Sequence, residues 1–338
     1  MSTLEKSILK QFSDRKILIV GDLVADQFLE GKISRVSREA PVFILRHETT
    51  DTVGGGAANA AANVASLGGT ASIVGVVGTD SSGAALASAM NNAGVNTSGV
   101  VEQDGFETTT KLRVLAGQQY ALRQQVIRID YEDETGVSDE TLGELQRHAL
   151  RALKTADGLL ISDYGYGVAD SRFAKSLINT AAENEIPVFV DSRHRLLEFE
   201  GATAATPNKE EVEEILETGF EAGLCETLRE NANLEALLVT LGNEGMNLFE
   251  KDSEPKPIKV IGKTEPVDVT GAGDTVIAAF TLGVAAGYSF SVSARIANHA
   301  GGIVVMKNGT ATVSPQELLN SIREHEPGLL ESSLQQAG

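Results

Sequence analysis

Residues 267–276 read VDVTGAGDTV and hold the clearest structural signal in the chain. Their small residues predict a Gly-Ala-Gly-Asp turn that opens a long apolar helix. Because the first N–H groups of a helix have no partner within it, Gly271, Ala272 and Gly273 are expected to present free donors. Those donors and the helix dipole suit the charge of a phosphoryl group, and Asp274 beside them could accept the proton of an attacking hydroxyl. The alternative is a plain turn in which Asp274 only caps the helix.

Short apolar runs rich in β-branched residues alternate with helical stretches along most of the chain. The runs occupy residues 15–22, 71–77, 158–163, 186–191 and 236–241, and the helical stretches occupy 57–67, 138–154, 171–184, 208–217, 271–286 and 290–305. This alternation is typical of a parallel sheet covered by helices on both faces. A last helix is expected at Ser314, where Glu317 completes a capping box. The sequence therefore predicts an α/β fold in a single domain over residues 1–330, followed by a short tail at 331–338.

Two stretches, residues 28–50 and 108–131, break this alternation. They mix polar and apolar residues in the manner of half-exposed antiparallel strands, so we expect a small sheet beside the main domain. Such a sheet could be a lid or a dimer contact. The alternative is a pair of surface hairpins without a function. Because a thin sheet leaves a face and an edge uncovered, a homodimer through it is predicted.

Composition limits the classes of partner. The chain has 338 residues and a formal net charge of −19, which argues against nucleic acid or an anionic membrane as a main partner. The one cysteine, Cys225, excludes an intramolecular disulfide and indicates a reducing compartment. The N-terminus is too charged for a signal peptide, and Leu4, Ile8 and Phe12 recur at helical spacing. No apolar run approaches the roughly 20 residues that span a bilayer. We therefore expect a soluble, cytoplasmic protein.

Other segments carry residues suited to binding. Residues 54–68 read GGGAANAAANVASLG, where the glycines allow a close backbone approach and the Asn59 amide can donate to and accept from hydroxyls. By themselves they predict only a glycine turn into a helix. Likewise TPNKEE, at residues 206–211, predicts a helix N-terminus. Asp22 and Asp26 follow the first strand, and Asp22 could simply cap a turn.

Together these segments resemble the ribokinase-like (PfkB) carbohydrate kinases over about residues 15–325. The resemblance implies a ribokinase-like three-layer fold with a mostly parallel central sheet and a small β-sheet lid. It also implies γ-phosphoryl transfer from ATP to a sugar hydroxyl, with Mg²⁺ and a possible K⁺ as cofactors. Catalysis would fall to Asp274, with Gly271, Ala272 and Gly273 as the anion hole.

The same resemblance assigns binding roles. The residues implied for the sugar are Asp26, Gly54, Gly55 and Asn59. Those implied for the nucleotide are Asn208, Thr240, Gly242, Gly245 and Asn298. His299 is expected near adenine, and the alternative is a satisfied core or surface histidine. Glu211 would hold Mg²⁺ through water, and Asp268 would belong to a monovalent-cation site.

Within the family the chain most resembles the kinase half of bifunctional heptose-7-phosphate kinase/heptose-1-phosphate adenylyltransferases. The resemblance rests on SRVSREAPV (34–42), TTTKLRV (108–114), LISDYGYG (160–167) and NGTATVSPQEL (308–318). It implies phosphorylation of the anomeric hydroxyl of D-glycero-β-D-manno-heptose 7-phosphate, in lipopolysaccharide-core synthesis. Basic residues should then flank the sugar pocket. The candidates are Lys111, Arg113, Arg193, Arg35, Arg38 and Arg123.

Two departures leave other substrates open. No adenylyltransferase domain is expected within these 338 residues, which could be a one-activity version or a domain of a longer protein. DSRHR at residues 191–195 stands where Asp-Pro-Lys-Gly is usual, so Arg193 would replace a lysine of different geometry. The alternatives are a PfkB kinase for another sugar or sugar phosphate, and a non-catalytic sugar or nucleotide sensor on the same fold. A dehydrogenase and a P-loop kinase are disfavoured, because neither a G-x-G-x-x-G after the first strand nor a GxxxxGK[ST] occurs.

Overall fold

The computed structural model describes residues 10–117, 124–262 and 265–329, and these ranges form a large sheet and a small one. The large sheet contains β1 (Lys16–Gly21), β4 (Thr70–Gly78), β5 (Asn96–Gln103), β8 (Gly158–Asp163), β9 (Val188–Ser192), β10 (Ala204–Ala205), β11 (Ala236–Thr240), β12 (Met246–Glu250) and β13 (Lys256–Ile258). The small sheet contains β2 (Leu23–Val36), β3 (Phe43–Gly56), β6 (Thr110–Gly117) and β7 (Gln124–Tyr131).

The large sheet is mostly parallel, as predicted. Its strand order is β13-β12-β11-β10-β9-β8-β1-β4-β5. Every pair from β11 to β5 is parallel, whereas β12 and β13 pair antiparallel at one edge. The carboxyl ends of the parallel strands therefore meet along one edge of the sheet, where an α/β fold places its ligands.

Helices cover both faces of the large sheet. They are α1 (Ala57–Ser66), α2 (Ser81–Asn92), α3 (Asp139–Leu153), α4 (Ser171–Glu183), α5 (Lys209–Leu216), α6 (Ala222–Asn231), α7 (Ala272–Ala285), α8 (Phe290–Val304) and α9 (Pro315–His325). Helices α1, α2, α7, α8 and α9 share one apolar core with Ile17 and Ile19 of β1, and α3 to α6 share a second core with Leu18 and Val20. Successive side chains of β1 point to opposite faces of the sheet and so belong to the two different cores. The predicted three-layer α/β fold is confirmed.

Helix α7 is buried along most of its length from Asp274 onward, whereas the predicted anion-binding turn at its start is partly exposed. Close packing against α8 depends on Gly283, where a Cβ would lie 2.8 Å from the Ser293 Oγ. A glycine inside a helix costs up to about 1 kcal/mol relative to alanine, so its position here reflects packing rather than helix propensity. Helix α9 begins with the predicted Ser314–Glu317 capping box.

The small sheet differs from the predicted one in its pairing. Its order is β3-β2-β6-β7, and the central pair β2–β6 is parallel, so the expectation of purely antiparallel strands is wrong. The reason is topological, since β2 leaves the end of β1 and β6 follows the end of β5, and β1 and β5 point the same way. Strand β2 also begins earlier than predicted, and β3 runs on to the glycines that precede α1.

Some predictions fall partly outside the described ranges. Of the predicted N-terminal helix, residues 10–13 are helical and Phe12 is buried, while Leu4 and Ile8 lie outside the described residues, as does the tail at 331–338. Cys225 is buried and free. In the part of the chain that the structure describes, no helix has the length and apolar character required to cross a membrane.

Candidate active site

The first turn of α7 carries Asp274. Its N-cap, Gly271, has a φ of 74°, in the left-handed region that favours glycine. Within the described residues, no hydrogen bond engages the N–H of Gly271 or Gly273, so both remain available to an anion. The N–H of Ala272 donates to the Val269 carbonyl at 3.2 Å. The expectation of three free amides is therefore wrong for Ala272, because this bond closes the turn.

The Asp274 carboxylate is 3% exposed and accepts a hydrogen bond on each oxygen. Asn59 Nδ2 donates to Oδ2 at 2.9 Å, and the Tyr164 phenol donates to Oδ1 at 2.7 Å. Burial raises the pKa of Asp274 to about 6, although these two donors act in the opposite direction. A carboxylate with this pKa is ionised at neutral pH and is a stronger base than an exposed aspartate, as a general base requires.

Asn59 lies in the first turn of α1 and helps to hold the Asp274 side chain in place. Its Nδ2 also donates to the Gly271 carbonyl at 3.2 Å, and its Oδ1 accepts from Asn63 Nδ2 at 3.0 Å. Every polar atom of the Asn59 amide thus has a protein partner. The sugar contact expected of Asn59 stays a prediction, while the geometry places this side chain against Asp274.

Asp26 lies within β2, next to the site. Its two oxygens accept from Arg113 Nη1, in an ion pair, and from the Thr310 hydroxyl at 2.9 Å. A Cβ at Gly55 would lie 2.6 Å from Asp26 Oδ2, and one at Gly54 would lie 2.9 Å from a Cβ of α1. These glycines therefore make room for protein atoms, and their sugar-binding role stays a prediction. Arg113 neutralises Asp26.

Lys111 and Arg193 form a cationic pair around the ring of Tyr164. The Arg193 guanidinium lies 4.3 Å from the ring centroid and the Lys111 ammonium lies 5.9 Å from it. Burial and the neighbouring Arg193 lower the pKa of Lys111, which is 8% exposed. Within the described residues neither cation forms an ion pair with a carboxylate, so the pair can hold an anionic group.

A loop after β8 carries Tyr164 and is held by Asp22. The Asp22 carboxylate, 1% exposed, accepts the backbone N–H groups of Tyr164 at 2.8 Å, Tyr166 at 3.0 Å and Val168 at 3.0 Å. Asp22 therefore joins the end of β1 to the exit of β8, a stronger role than the turn cap considered from sequence.

Asn208 and Glu211 form a capping box at the start of α5. Asn208 Oδ1 accepts the Glu211 N–H at 2.9 Å, and Glu211 Oε2 accepts the Asn208 N–H at 2.9 Å. The helix N-terminus predicted from TPNKEE is thus present. Burial raises the pKa of Glu211, and burial together with the charges of Asp274 and Glu211 raises that of Asp191 well above its ordinary range. A divalent cation at this edge would stabilise both ionised carboxylates, so Glu211 and Asp191 fit Mg²⁺.

A cavity of about 200 Å³ opens beside the start of α7. Its lining includes six residues of the predicted site: Thr240, Gly242, Gly245, Ala272, Gly273 and Asn298. Met246 and Val260 add apolar surface. Such a cavity can hold a planar base at the end of a phosphate chain that reaches Gly273. Asn298 Nδ2 donates to the Lys259 carbonyl at 2.7 Å, which fixes its orientation.

Asp268 lies just before the turn that opens α7. It accepts the N–H groups of Thr270 and Gly309, both at 2.9 Å. Burial acts to raise the pKa of Asp268, but these hydrogen bonds outweigh it, so the pKa lies below its ordinary value. An ionised carboxylate of this kind fits a monovalent cation, whose presence stays a prediction.

Other basic candidates lie elsewhere. His299 is fully buried between Ser321 (2.8 Å) and Glu326 (3.3 Å), so the core-histidine alternative is correct and its placement near adenine is wrong. Arg35 and Arg38 are exposed at the far end of the β2–β3 hairpin. Arg123 lies outside the described residues.

Three contacts of the site escaped sequence reasoning. They are the Tyr164 bond to Asp274, the Asn63 bond to Asn59 and the Thr310 bond to Asp26. The only sequence signal for Tyr164 was its place in LISDYGYG, directly after a strand. Thr310 and Asp26 are 284 positions apart, and no spacing rule connects them.

The fold is that of known sugar kinases. Arabidopsis thaliana ribokinase, solved with ribose and ATP, superposes with a TM-score of 0.69 at 20% identity, covering 91% of this chain and 98% of the other. Escherichia coli phosphofructokinase-2, solved with substrates and products, gives a TM-score of 0.72 at 20% identity, covering 92% and 99%. These likenesses establish a ribokinase-like α/β fold, with a large mostly parallel sheet and a smaller second sheet.

Sequence comparison establishes the family. Residues 14–317 match the model described as "pfkB family carbohydrate kinase", and the chain belongs to this family of sugar kinases, whose members use ATP. Relatives named "Bifunctional protein HldE" are 36% identical in Trichlorobacter lovleyi, 37% in Gluconobacter oxydans and 38% in Geobacter metallireducens. They match 94%, 95% and 94% of this chain and 65%, 67% and 65% of their own lengths, so the chain spans about two thirds of these relatives.

Proposed function

We propose that the chain transfers the γ-phosphoryl group of ATP to the anomeric hydroxyl of D-glycero-β-D-manno-heptose 7-phosphate, giving the 1,7-bisphosphate. The observation that carries this proposal is the pair Lys111 and Arg193, placed around Tyr164 within reach of the base. A neutral sugar gives two such cations no counter-charge. A sugar that already carries a phosphate does.

The similarity to HldE proteins and the motifs shared with heptose-7-phosphate kinases support the same substrate. The product would then enter ADP-heptose and lipopolysaccharide-core synthesis. Arg193 takes the place of the usual lysine, and its planar guanidinium stacks on Tyr164 at 4.3 Å while leaving its N–H groups for phosphate oxygens.

The proposed mechanism uses Asp274 and the amides at the start of α7. Asp274 accepts the proton of the anomeric hydroxyl as the hydroxyl oxygen attacks the γ-phosphorus in line, and the bond from that phosphorus to the bridging oxygen breaks to release ADP. The amides of Gly271 and Gly273 stabilise the charge on the transferring group, together with the dipole of α7. Mg²⁺, when bound, neutralises charge on the phosphates, and Glu211 would hold it through water. Asp268 would hold a monovalent cation such as K⁺.

The small sheet is proposed to act as a lid and as the contact of a homodimer. Strand β7 is exposed along its whole length, and its apolar residues Val126, Ile127 and Ile129 are 48%, 53% and 39% exposed. A strand with this much uncovered apolar surface is suited to a partner. A second copy would cover it, and closure over the sugar would exclude water from the reaction. The reaction is assigned to the cytoplasm, with neither nucleic acid nor membrane as a partner.

A substrate panel tests the proposal. ATP consumption is measured with heptose 7-phosphate, ribose, fructose and fructose 6-phosphate, and we expect the highest kcat/KM with heptose 7-phosphate. The Lys111→Met variant should raise the KM for that sugar about tenfold, because one charge-assisted contact is lost, and should leave the KM for ATP unchanged. Lys175→Met, at an exposed lysine of α4, is the matched control.

Two outcomes would contradict the proposal. A preference for an unphosphorylated sugar would exclude heptose 7-phosphate as the substrate. Sugar binding by calorimetry without any ATP turnover would favour the sensor alternative instead.

A further inference from the structure

Tyr164 contacts the proposed base directly. Its phenol lies 2.7 Å from Asp274 Oδ1, while Asn59 Nδ2 lies 2.9 Å from Oδ2. Each carboxylate oxygen thus accepts one hydrogen bond from a neutral donor and keeps lone-pair capacity for another hydrogen atom. The two donors hold the plane of the carboxylate while leaving it able to accept a proton from a sugar hydroxyl.

The phenol keeps its proton through the working range of the enzyme. Burial and the nearby charge of Asp274 raise the pKa of Tyr164 well above the ordinary value for tyrosine. Tyr164 is therefore a constant donor, and proton transfer to Asp274 involves no change in the charge of the tyrosine.

The ring of Tyr164 is fixed on several sides. Asp22 accepts its backbone N–H at 2.8 Å, and the Arg193 guanidinium covers one face at 4.3 Å. On another side lies Gly56, where a Cβ would come 3.4 Å from two ring carbons and 2.9 Å from the Asp22 carbonyl oxygen. Because its own position is fixed, Tyr164 can fix the orientation of the Asp274 carboxylate through this hydrogen bond.

The charged groups around Asp274 act on its pKa in both directions. Beyond burial, Asp26 on β2, although paired with Arg113, raises the pKa of Asp274, and Arg193 lowers it. The carboxyl of Asp191 on β9 is a further neighbour, and burial and the charge of Asp274 raise its pKa. Burial and Asp26 raise the pKa of Asp274, whereas Asn59, Tyr164 and Arg193 lower it, and the balance falls at about 6. Removing the phenol O–H would shift this balance toward the protonated acid, which cannot act as a base.

We propose that Tyr164 is a positioning residue for the phosphoryl transfer, whose O–H orients the Asp274 carboxylate toward the acceptor hydroxyl and keeps it ionised. No bond to Tyr164 forms or breaks, and the proton passes from the sugar hydroxyl to Asp274. The inference rests on the proposed function for the reaction, but its central contact does not depend on which sugar is bound.

The kinetic test compares the pH profile of kcat in wild type and Tyr164→Phe, which keeps the ring under Arg193. In wild type the acid limb should fall near pH 6, the pKa of Asp274. In the variant it should move up by about one pH unit, so that kcat near pH 6 falls about five- to tenfold and partly recovers by about pH 8. The KM for the sugar phosphate should change less than about twofold, since the phenol serves the base.

The matched control is Tyr288→Phe, which removes another buried phenol hydroxyl, bonded to the Gln11 side chain beyond the opposite end of α7. Its acid limb should coincide with that of wild type. A melting curve for each variant checks that it is folded, so that a general loss of structure is recognised.

A second readout needs no substrate. With ¹³C-labelled aspartate, the carboxyl carbon of Asp274, assigned from Asp274→Asn, should titrate near 6 in wild type and about one unit higher in Tyr164→Phe. If wild type does not phosphorylate heptose 7-phosphate, the proposed substrate fails while this titration still decides the role of Tyr164. A folded Tyr164→Phe protein with an unshifted titration would overturn the inference.

Discussion

At the scale of single residues, Asp274 illustrates how burial and hydrogen bonding together determine the pKa of the proposed base. Burial raises the pKa of this carboxyl, and full solvation would leave a weak base with a pKa near 4. Two neutral donors, Asn59 and Tyr164, offset part of the burial, and the pKa comes to about 6. Asp274 is thereby ionised at neutral pH and able to take a proton as phosphoryl transfer begins.

At the scale of elements, the site depends on the loops that follow the carboxyl ends of neighbouring strands. Strands β1 and β8 are neighbours in the sheet, and the Asp22 carboxylate after β1 collects three backbone N–H groups from the loop after β8. These three hydrogen bonds position Tyr164, while the turn at Gly271 positions Asp274. Two loops on separate elements thus form a single hydrogen-bonded unit.

The three hydrogen bonds accepted by the Asp22 carboxylate predict a loss of stability when this side chain is removed. Asp22→Ala would leave these three N–H groups without their acceptor and should lower the free energy of unfolding by about 3 kcal/mol in urea denaturation. The control Asp14→Ala, at an exposed position, should change it by less than about 0.5 kcal/mol. A loss for Asp22→Ala no larger than that of the control would show that the loop is held by other contacts.

At the scale of the whole molecule, the small sheet predicts an assembly. If β7 lies at a dimer contact, Ile127→Asp should place a charge in it and convert the dimer into a monomer, as measured by sedimentation equilibrium. Leu197→Asp, at a residue 48% exposed on the main domain, should leave the assembly unchanged. A wild-type monomer at micromolar concentration would contradict the proposed dimer.

Sequence reasoning predicted the large features because they depend on local patterns. Apolar runs located β1, β4, β8 and β11, and glycine and capping signals located the starts of α1, α7 and α9. It missed the parallel pairing of β2 and β6, because half-exposed alternation does not encode strand direction. It also missed the bond from Asn59 to Asp274, which joins residues 215 positions apart. Contacts at such separation follow from the assembled fold alone.

The turnover of Asp274→Asn with ATP and heptose 7-phosphate tests the central claim most directly. The variant keeps the size of the side chain but cannot accept the hydroxyl proton, so kcat should fall by at least about 100-fold while the Kd for the sugar phosphate changes little. A folded Asp274→Asn protein with kcat near that of wild type would contradict the assignment of Asp274 as the base.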